Sequence, residues 1–144
     1  YKNDELVIHG GKKLNGMKID CNDIPDMVPT LAIVATQAVG QTELVNVPQA
    51  RLKETDRIHS VCDGLTRLGA RAEELPDGLV IYESALVGAE IKGYSDHRTI
   101  MALTLAGLIA KGTTKIDTAE NISKTFPNFV SLMQKLGAKI EIRK

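Results

Sequence analysis

The chain has 144 residues, the length of one ordinary domain, and its 18 basic and 18 acidic side chains give a net charge of zero. Nucleic-acid-binding surfaces need an excess of Lys and Arg, so this balance argues against a nucleic-acid partner. Three Tyr, two Phe and no Trp offer no platform for stacking bases. A hydrophobic content of 43% predicts a globular protein with an aliphatic core.

Cysteine usage and hydropathy exclude further classes. Cys21 and Cys62 form no C-x-x-C motif, which argues against a disulfide framework or a zinc site and predicts two reduced core thiols in a cytoplasmic protein. The longest apolar stretch, residues 101–110, is too short to span a bilayer, so no membrane partner is expected. The first residue is Tyr1, which indicates either processing or a piece of a longer polypeptide.

The first half of the chain predicts alternating strands and helices. Residues 6–8 predict a strand, the tail of an earlier unit. A helix is predicted over 25–39, ended by Gly40, because apolar residues recur at helical spacing: Met27, Leu31, Val34 and Ala38. A strand is predicted over 42–47. Thr55 is the expected N-cap of a helix ended by Gly69, whose apolar face is Ile58, Val61, Cys62, Leu65 and Leu68.

Short strands are then predicted over 71–75, 79–82 and 90–92, and the second half repeats the plan. A helix is expected over 98–111 and a strand over 114–117. Pro127 is a favoured first helical residue, and it predicts a last helix that buries Phe129, Val130, Met133 and Leu136. A strand over 139–142 completes the prediction.

An internal repeat with an offset near 70 residues organises these elements. Residues 65–71 (LTRLGAR) resemble 133–139 (MQKLGAK), and 40–44 (GQTEL) resemble 112–116 (GTTKI). Asp26 and Asp96 occupy equivalent positions of the repeat, as do Lys53 and Lys124. We therefore expect a single-domain fragment, residues 1–144, with two units of about 1–72 and 73–144 and the element order β-α-β-α-β-β.

Basic side chains gather where helices are predicted to begin. Residues 51–57 read RLKETDR, and a helix N-terminus with its unpaired N–H groups already favours an anion. Lys53 and Arg57 would add cationic donors for a phosphate or carboxylate. The alternative is a solvated turn on which Glu54 and Asp56 neutralise these cations.

Comparable positions of the repeat carry Arg57, Arg98 and Lys124. Repeat symmetry would bring these helix starts toward one edge of the domain, which indicates a shared polyanionic ligand. Asp26 is either a helix N-cap or a general base for a substrate hydroxyl. His97 is either a structural histidine or a group that orients the ligand or shuttles protons.

Four motifs resemble the EPSP synthase (3-phosphoshikimate 1-carboxyvinyltransferase) family. Residues 51–57 are similar to its R-x-K-E-T-D-R signature, and 96–98 to its D-H-R motif. Residues 124–129 (KTFPNF) and 24–26 (IPD) match further motifs in the same order. The resemblance covers nearly the whole chain but only the C-terminal portion of a longer enzyme.

The resemblance implies an α/β (α+β) domain of repeated β-α-β-α-β-β units, the enolpyruvyl transferase (EPT) fold, an inside-out α/β barrel. It implies transfer of the enolpyruvyl group of phosphoenolpyruvate to the 5-hydroxyl of shikimate 3-phosphate, a step of aromatic amino acid biosynthesis in the cytoplasm and the target of glyphosate. No metal and no cofactor is expected. Partners would be the two substrates and an N-terminal domain of the same polypeptide, without which we expect no turnover.

By position, the resemblance makes Asp26 the group that takes the hydroxyl proton, Lys53 a shikimate contact and Glu54 the acid at the methylene carbon. Arg57, Arg98 and Lys124 resemble the phosphoenolpyruvate cations, Lys124 being counted as catalytic with Asp26 and Glu54. His97 lies beside these cations. Gln49 stands where some relatives carry an Asn that touches the shikimate phosphate.

Two alternatives stay open. One is the related UDP-N-acetylglucosamine enolpyruvyl transferase, against which the KETDR string argues. The other is a non-catalytic repeat module that binds phosphorylated metabolites.

Overall fold

The computed structural model describes residues 5–143. Its four α-helices are α1 (Val28–Ala35), α2 (Arg57–Arg67), α3 (His97–Ile109) and α4 (Phe129–Lys135). Short 3-10 turns cover Pro25–Met27, Pro48–Leu52 and Ala119–Lys124. The strands are β1 (Leu14–Asn15), β2 (Lys18–Asp20), β3 (Ala38–Val39), β4 (Gln41–Val45), β5 (Ala72–Leu75), β6 (Gly78–Tyr82), β7 (Glu90–Ile91) and β8 (Lys115–Ile116).

The strands form one larger sheet and two small ones. The larger sheet has the order β2-β4-β6-β5, in which β2 and β4 are parallel while β6 is antiparallel to both β4 and β5. β1 pairs with β3, and β7 with β8, both in parallel. Because a parallel pair needs a long crossover, each parallel connection carries a helix between its strands.

The parallel pairs repeat with an offset of 72 residues. Lys18 lies opposite Glu43 in the β2–β4 pair, and Glu90 lies opposite Lys115 in the β7–β8 pair. Both are ion pairs, at 3.4 Å and 2.7 Å, with the charges exchanged between the two strands. The N–H of Gly16 donates to the carbonyl of Val39, and 72 residues later the N–H of Gly88 donates to that of Lys111.

The helices pack into one aliphatic core against the sheets. α3 contacts both α1 and α2, and the main cluster of buried side chains draws on all three helices and on β4 and β6. α2 and α3 approach closely at Gly64, where a Cβ atom would lie 2.6 Å from a methyl group of Leu103. This packing places the first residues of α2 and α3 near each other.

The predicted elements of the first unit exist, with corrected bounds. The apolar face of α2 is confirmed, since Ile58, Val61, Cys62, Leu65 and Leu68 are all buried. Its N-cap is Asp56 rather than Thr55. The helix predicted over 25–39 ends at Ala35, because Ala38–Val39 pairs with β1 instead of continuing the helix.

The expected apolar face of that helix was also wrong in part. Met27 and Val34 are exposed, while Val28, Ala32 and Ile33 fill the core. In an apolar segment this rich in Ala and Val, periodicity alone does not single out one face.

The two ends of the chain depart further from prediction. Residues 6–8 and 139–142 form no strand among the described residues. In the repeat, residues 139–142 correspond to β5, since they follow α4 as β5 follows α2. β5 pairs with β6, but no strand corresponding to β6 follows residue 142 in the described range. The last helix begins at Phe129, two residues after Pro127, and Leu136 is 82% exposed rather than buried.

The cysteine prediction is confirmed: Cys21 and Cys62 are both free and buried. Burial raises the pKa of each thiol, which keeps it protonated. No helix among residues 5–143 is long and apolar enough to cross a membrane.

The close backbone approach at Gly88 generates the first prediction. A Cβ atom on Gly88 would lie 2.3 Å from the carbonyl oxygen of Thr113, so the backbone must shift to accept alanine. We expect Gly88→Ala to lower the free energy of unfolding by about 2 kcal/mol in urea denaturation. Gly10→Ala is the control, since a Cβ atom there meets nothing within 4 Å. Equal stability of the two variants would contradict the prediction.

Candidate functional site

Three basic side chains converge on one carboxylate, that of Asp26. Its Oδ1 lies 2.8 Å from Arg57 Nη1 and 3.3 Å from Lys53 Nζ, and its Oδ2 lies 3.2 Å from Arg98 Nη2. Asp26 is in the 3-10 turn before α1, Arg57 is the first residue of α2, and Arg98 is the second residue of α3. The starts of three helical segments therefore meet at this point.

Arg57 connects this carboxylate to two more. Its Nη2 lies 2.5 Å from Glu54 Oε2, and its Nε lies 2.9 Å from Asp96 Oδ2. The Arg57 side chain is only 1% exposed, although a guanidinium is costly to bury without partners. Every edge of the guanidinium faces an acidic oxygen. We call the set of Asp26, Lys53, Glu54, Arg57, Asp96 and Arg98 the Asp26 cluster.

Local backbone structure places these side chains. Asp56 caps α2 by accepting from the N–H of His59, and Asp96 caps α3 by accepting from the N–H groups of Arg98 and Thr99. The two residues before Asp96, Tyr94 and Ser95, have left-handed φ angles of 55° and 54°. The chain therefore turns sharply into α3, and tight turns of this kind are common at functional sites.

The Asp26 cluster carries three positive and three negative groups. Burial raises the pKa of Asp26, but its hydrogen bond to Lys53 and the charges of Arg98, Lys53 and Arg57 outweigh burial and hold the pKa below its ordinary value. Asp26 is thus ionised at neutral pH. With a formal charge near zero, the Asp26 cluster offers several directed donors without a large excess of positive charge.

The structure does not bring all predicted residues together. Lys124 ends the 3-10 turn Ala119–Lys124, is exposed, and forms no ion pair with the Asp26 cluster among the described residues. The Gln49 amide donates to the carbonyl of Asn22, at 2.8 Å. His97 is the first residue of α3, and its buried Nδ1 finds no hydrogen-bond partner within residues 5–143.

One interpretation from sequence needs correction. Asp26 is not an N-cap: the cap position of its turn is Ile24, and the Asp26 carboxylate binds cations instead. Arg51, for which the sequence predicted no site role, lies outside the Asp26 cluster. It pairs with Asp56 at 2.6 Å and donates to the carbonyls of Leu75 and Pro76, so it stabilises the β5–β6 hairpin.

Asp96 is a residue of the site for which the sequence predicted no role. An Asp directly before an apolar helix signals an N-cap. That signal could have located the Asp96 carboxylate beside Arg98, but no sequence pattern shows that its second oxygen reaches Arg57.

Comparison with solved structures defines the class of fold. The chain superimposes on EPSP synthase from Acinetobacter baumannii with a TM-score of 0.85 and 32% identity, covering 92% of this chain and 32% of that one. The enolpyruvyl transferase NikO from Streptomyces tendae matches with a TM-score of 0.71 at 21% identity, over 90% of this chain and 30% of its own, which shows the fold alone. The predicted EPT fold is confirmed: the chain has the fold of the enolpyruvyl transferases.

Sequence comparison defines the family. Residues 1–133 match the family profile described as EPSP synthase (3-phosphoshikimate 1-carboxyvinyltransferase). A 3-phosphoshikimate 1-carboxyvinyltransferase from Ruminiclostridium cellulolyticum is 57% identical over 142 residues, which cover 99% of this chain and 33% of the relative. The chain belongs to the EPSP synthase family. It spans about a third of the length of the curated relatives that it matches.

The lowered pKa of Asp26 generates the second prediction. Its contribution to stability is complete above the ordinary carboxyl pKa of 3.8 and is lost as the pH falls through the lower value of the folded state. We expect Asp26→Asn to lower the free energy of unfolding by about 1 kcal/mol at pH 7, a modest figure because solvent screens a side chain that is 43% exposed. The difference from wild type should shrink toward pH 2.

The control for this measurement is Asp23→Asn, which removes an exposed carboxylate three residues earlier that has no cationic partner among the described residues. Urea denaturation of the three proteins from pH 7 to pH 2 checks the prediction. A pH-independent difference between Asp26→Asn and wild type would contradict it.

Proposed function

We propose that the polypeptide carrying this chain transfers the enolpyruvyl group of phosphoenolpyruvate to the 5-hydroxyl of shikimate 3-phosphate and releases phosphate. The observation that carries the proposal is the convergence of Lys53, Arg57 and Arg98 on Asp26 at the starts of α2 and α3. Both substrates carry phosphate, and phosphoenolpyruvate adds a carboxylate. Preorganised cations beside helix N-termini suit such ligands.

The chemistry requires a hydroxyl to attack C2 of phosphoenolpyruvate while C3 gains a proton. The tetrahedral adduct then loses phosphate and a C3 proton to regenerate the double bond. We assign the hydroxyl proton to Asp26, which is ionised and 43% exposed. Glu54, 47% exposed, is our candidate for the proton at C3.

The basic side chains would bind the anionic groups of the substrates. Lys53 and Arg98 are partly exposed and can reach an incoming anion, whereas Arg57 presents only its terminal nitrogens. Lys124, Gln49 and His97 enter the proposed substrate site by their family motifs. Lys124 is exposed and Gln49 is half-buried, so both can reach substrate from outside the Asp26 cluster.

The charge balance of the Asp26 cluster supports a further partner. With three acidic and three basic groups, this cluster lacks the excess positive charge that two phosphates and a carboxylate need. We infer that an N-terminal domain of the same polypeptide supplies additional cations, and that residues 1–144 alone form a fragment of one domain without turnover. The proposed chemistry joins the acceptor hydroxyl oxygen to C2 of phosphoenolpyruvate, breaks the bond from C2 to phosphate and moves protons; no atom is oxidised or reduced, so the proposal calls for no metal or cofactor. We place the reaction in the cytoplasm.

The third prediction concerns an enzyme reconstituted from this chain and the missing part of a relative. The chain is mixed with the part of the Ruminiclostridium cellulolyticum relative that it does not cover, and phosphate release is followed with both substrates. We expect turnover only in the mixture. Binding of the phosphorylated metabolites without turnover would favour a non-catalytic module, and use of UDP-N-acetylglucosamine as acceptor would favour the related transferase.

The reconstituted enzyme also allows the fourth prediction. Arg98→Ala removes a cation of the Asp26 cluster and should raise the KM for phosphoenolpyruvate at least tenfold, because charge-assisted hydrogen bonds are strong. Arg71→Ala is the matched control: Arg71 is exposed, lies 3.9 Å over the ring of Tyr82 and is outside the cluster. Its KM should stay within twofold of wild type. Equal KM values for the two variants would contradict the proposed site.

A further inference from the structure

Asp96 lies at the buried end of the Asp26 cluster, and its side chain is 0% exposed. Its Oδ1 accepts from the N–H groups of Arg98 at 2.8 Å and Thr99 at 3.0 Å. Its Oδ2 accepts from Arg57 Nε at 2.9 Å. One carboxylate therefore joins the first turn of α3 to the first residue of α2.

The contact of Asp96 with the Nε edge fixes the orientation of the Arg57 guanidinium. Nε faces the interior, while Nη1 and Nη2 face Asp26 and Glu54, the two carboxylates on the open side. A guanidinium is a rigid planar fork, so fixing its Nε edge fixes the direction of the other donors. Without that contact, Arg57 could rotate and aim its donors elsewhere.

We propose that Asp96 is a positioning residue: its buried charge holds the Nε edge of Arg57 so that both terminal nitrogens face the substrate side. The inference deepens the proposed function and rests on it for the identity of the ligand. It assigns Asp96 no contact with substrate. Capping of α3 alone would not perform this role, because the cap uses only Oδ1.

The chain contains a matched control for this arrangement. Asp56 caps α2 with Oδ1, which accepts from the N–H of His59 at 2.9 Å, and its Oδ2 lies 2.6 Å from Arg51 Nη1. The same chemistry thus occurs at the preceding helix. Arg51, however, directs its other donors to the β5–β6 hairpin and away from the Asp26 cluster.

The experiment compares Asp96→Asn with Asp56→Asn in the reconstituted enzyme. Asparagine can still accept hydrogen bonds as an N-cap but carries no charge. We expect Asp96→Asn to raise the KM for phosphoenolpyruvate at least tenfold while kcat changes less, and Asp56→Asn to change both less than twofold. Equal KM effects in the two variants would overturn the proposal.

A second measurement uses nitrogen-15 NMR on the chain itself and needs no activity. In the unmodified chain the Nε–H of Arg57 should exchange with water at least tenfold more slowly than that of the exposed Arg71, and Asp96→Asn should abolish this protection. Fast exchange at Arg57 in the unmodified chain would overturn the positioning role, even if Asp96→Asn did not fold. An inactive reconstituted wild type would overturn the proposed function instead, and the exchange data would still decide the role of Asp96.

Discussion

A buried guanidinium needs an acidic or carbonyl oxygen as hydrogen-bond acceptor on each of its edges. The arrangement of the Asp26 cluster depends on supplying these acceptors to Arg57. Burying such an ion costs several kcal/mol unless it is fully paired. Asp96, Asp26 and Glu54 supply the partners, and they come from three separate segments of the chain. Folding thus brings the starts of α2 and α3 and the turn before α1 together. A geometry that protein stability itself enforces is available before any ligand arrives, which is the condition for a preorganised site.

Local patterns in the sequence predicted what local physics controls. The helical spacing from Ile58 to Leu68 located α2 and its buried face, and Gly69 marked its end. The interpretation of 25–39 as one helix was wrong because pairing with β1, a contact between distant segments, determines the structure of Ala38–Val39. The strand predicted over 139–142 was wrong for a related reason: within residues 5–143 no strand pairs with this segment, and β propensity alone does not form a sheet.

The same distinction holds for the candidate site. The basic residues at helix starts could be found from sequence because capping and charge patterns are local. Their meeting at Asp26, the burial of Arg57 and the second contact of Asp96 could not, because each depends on how α2 packs against α3. The neutral balance of the Asp26 cluster is a property of the assembled structure. It explains how the chain holds three cations together while its own stability stays free of strong repulsion.

The exchanged charges of the two parallel strand pairs bear on how a repetitive chain avoids misassembly. If β2 paired with β8 in place of β4, Lys18 would face Lys115, and β7 on β4 would set Glu90 against Glu43. Like charges directly opposite each other destabilise a strand pair. Similar repeats can exchange strand partners during folding. Because both units have the same strand register, register alone does not distinguish the correct strand pair from an exchanged one. Reversing one ion pair between the copies lets each strand reject the counterpart of its own partner in the other copy, and the correct pairs keep their ion pairs.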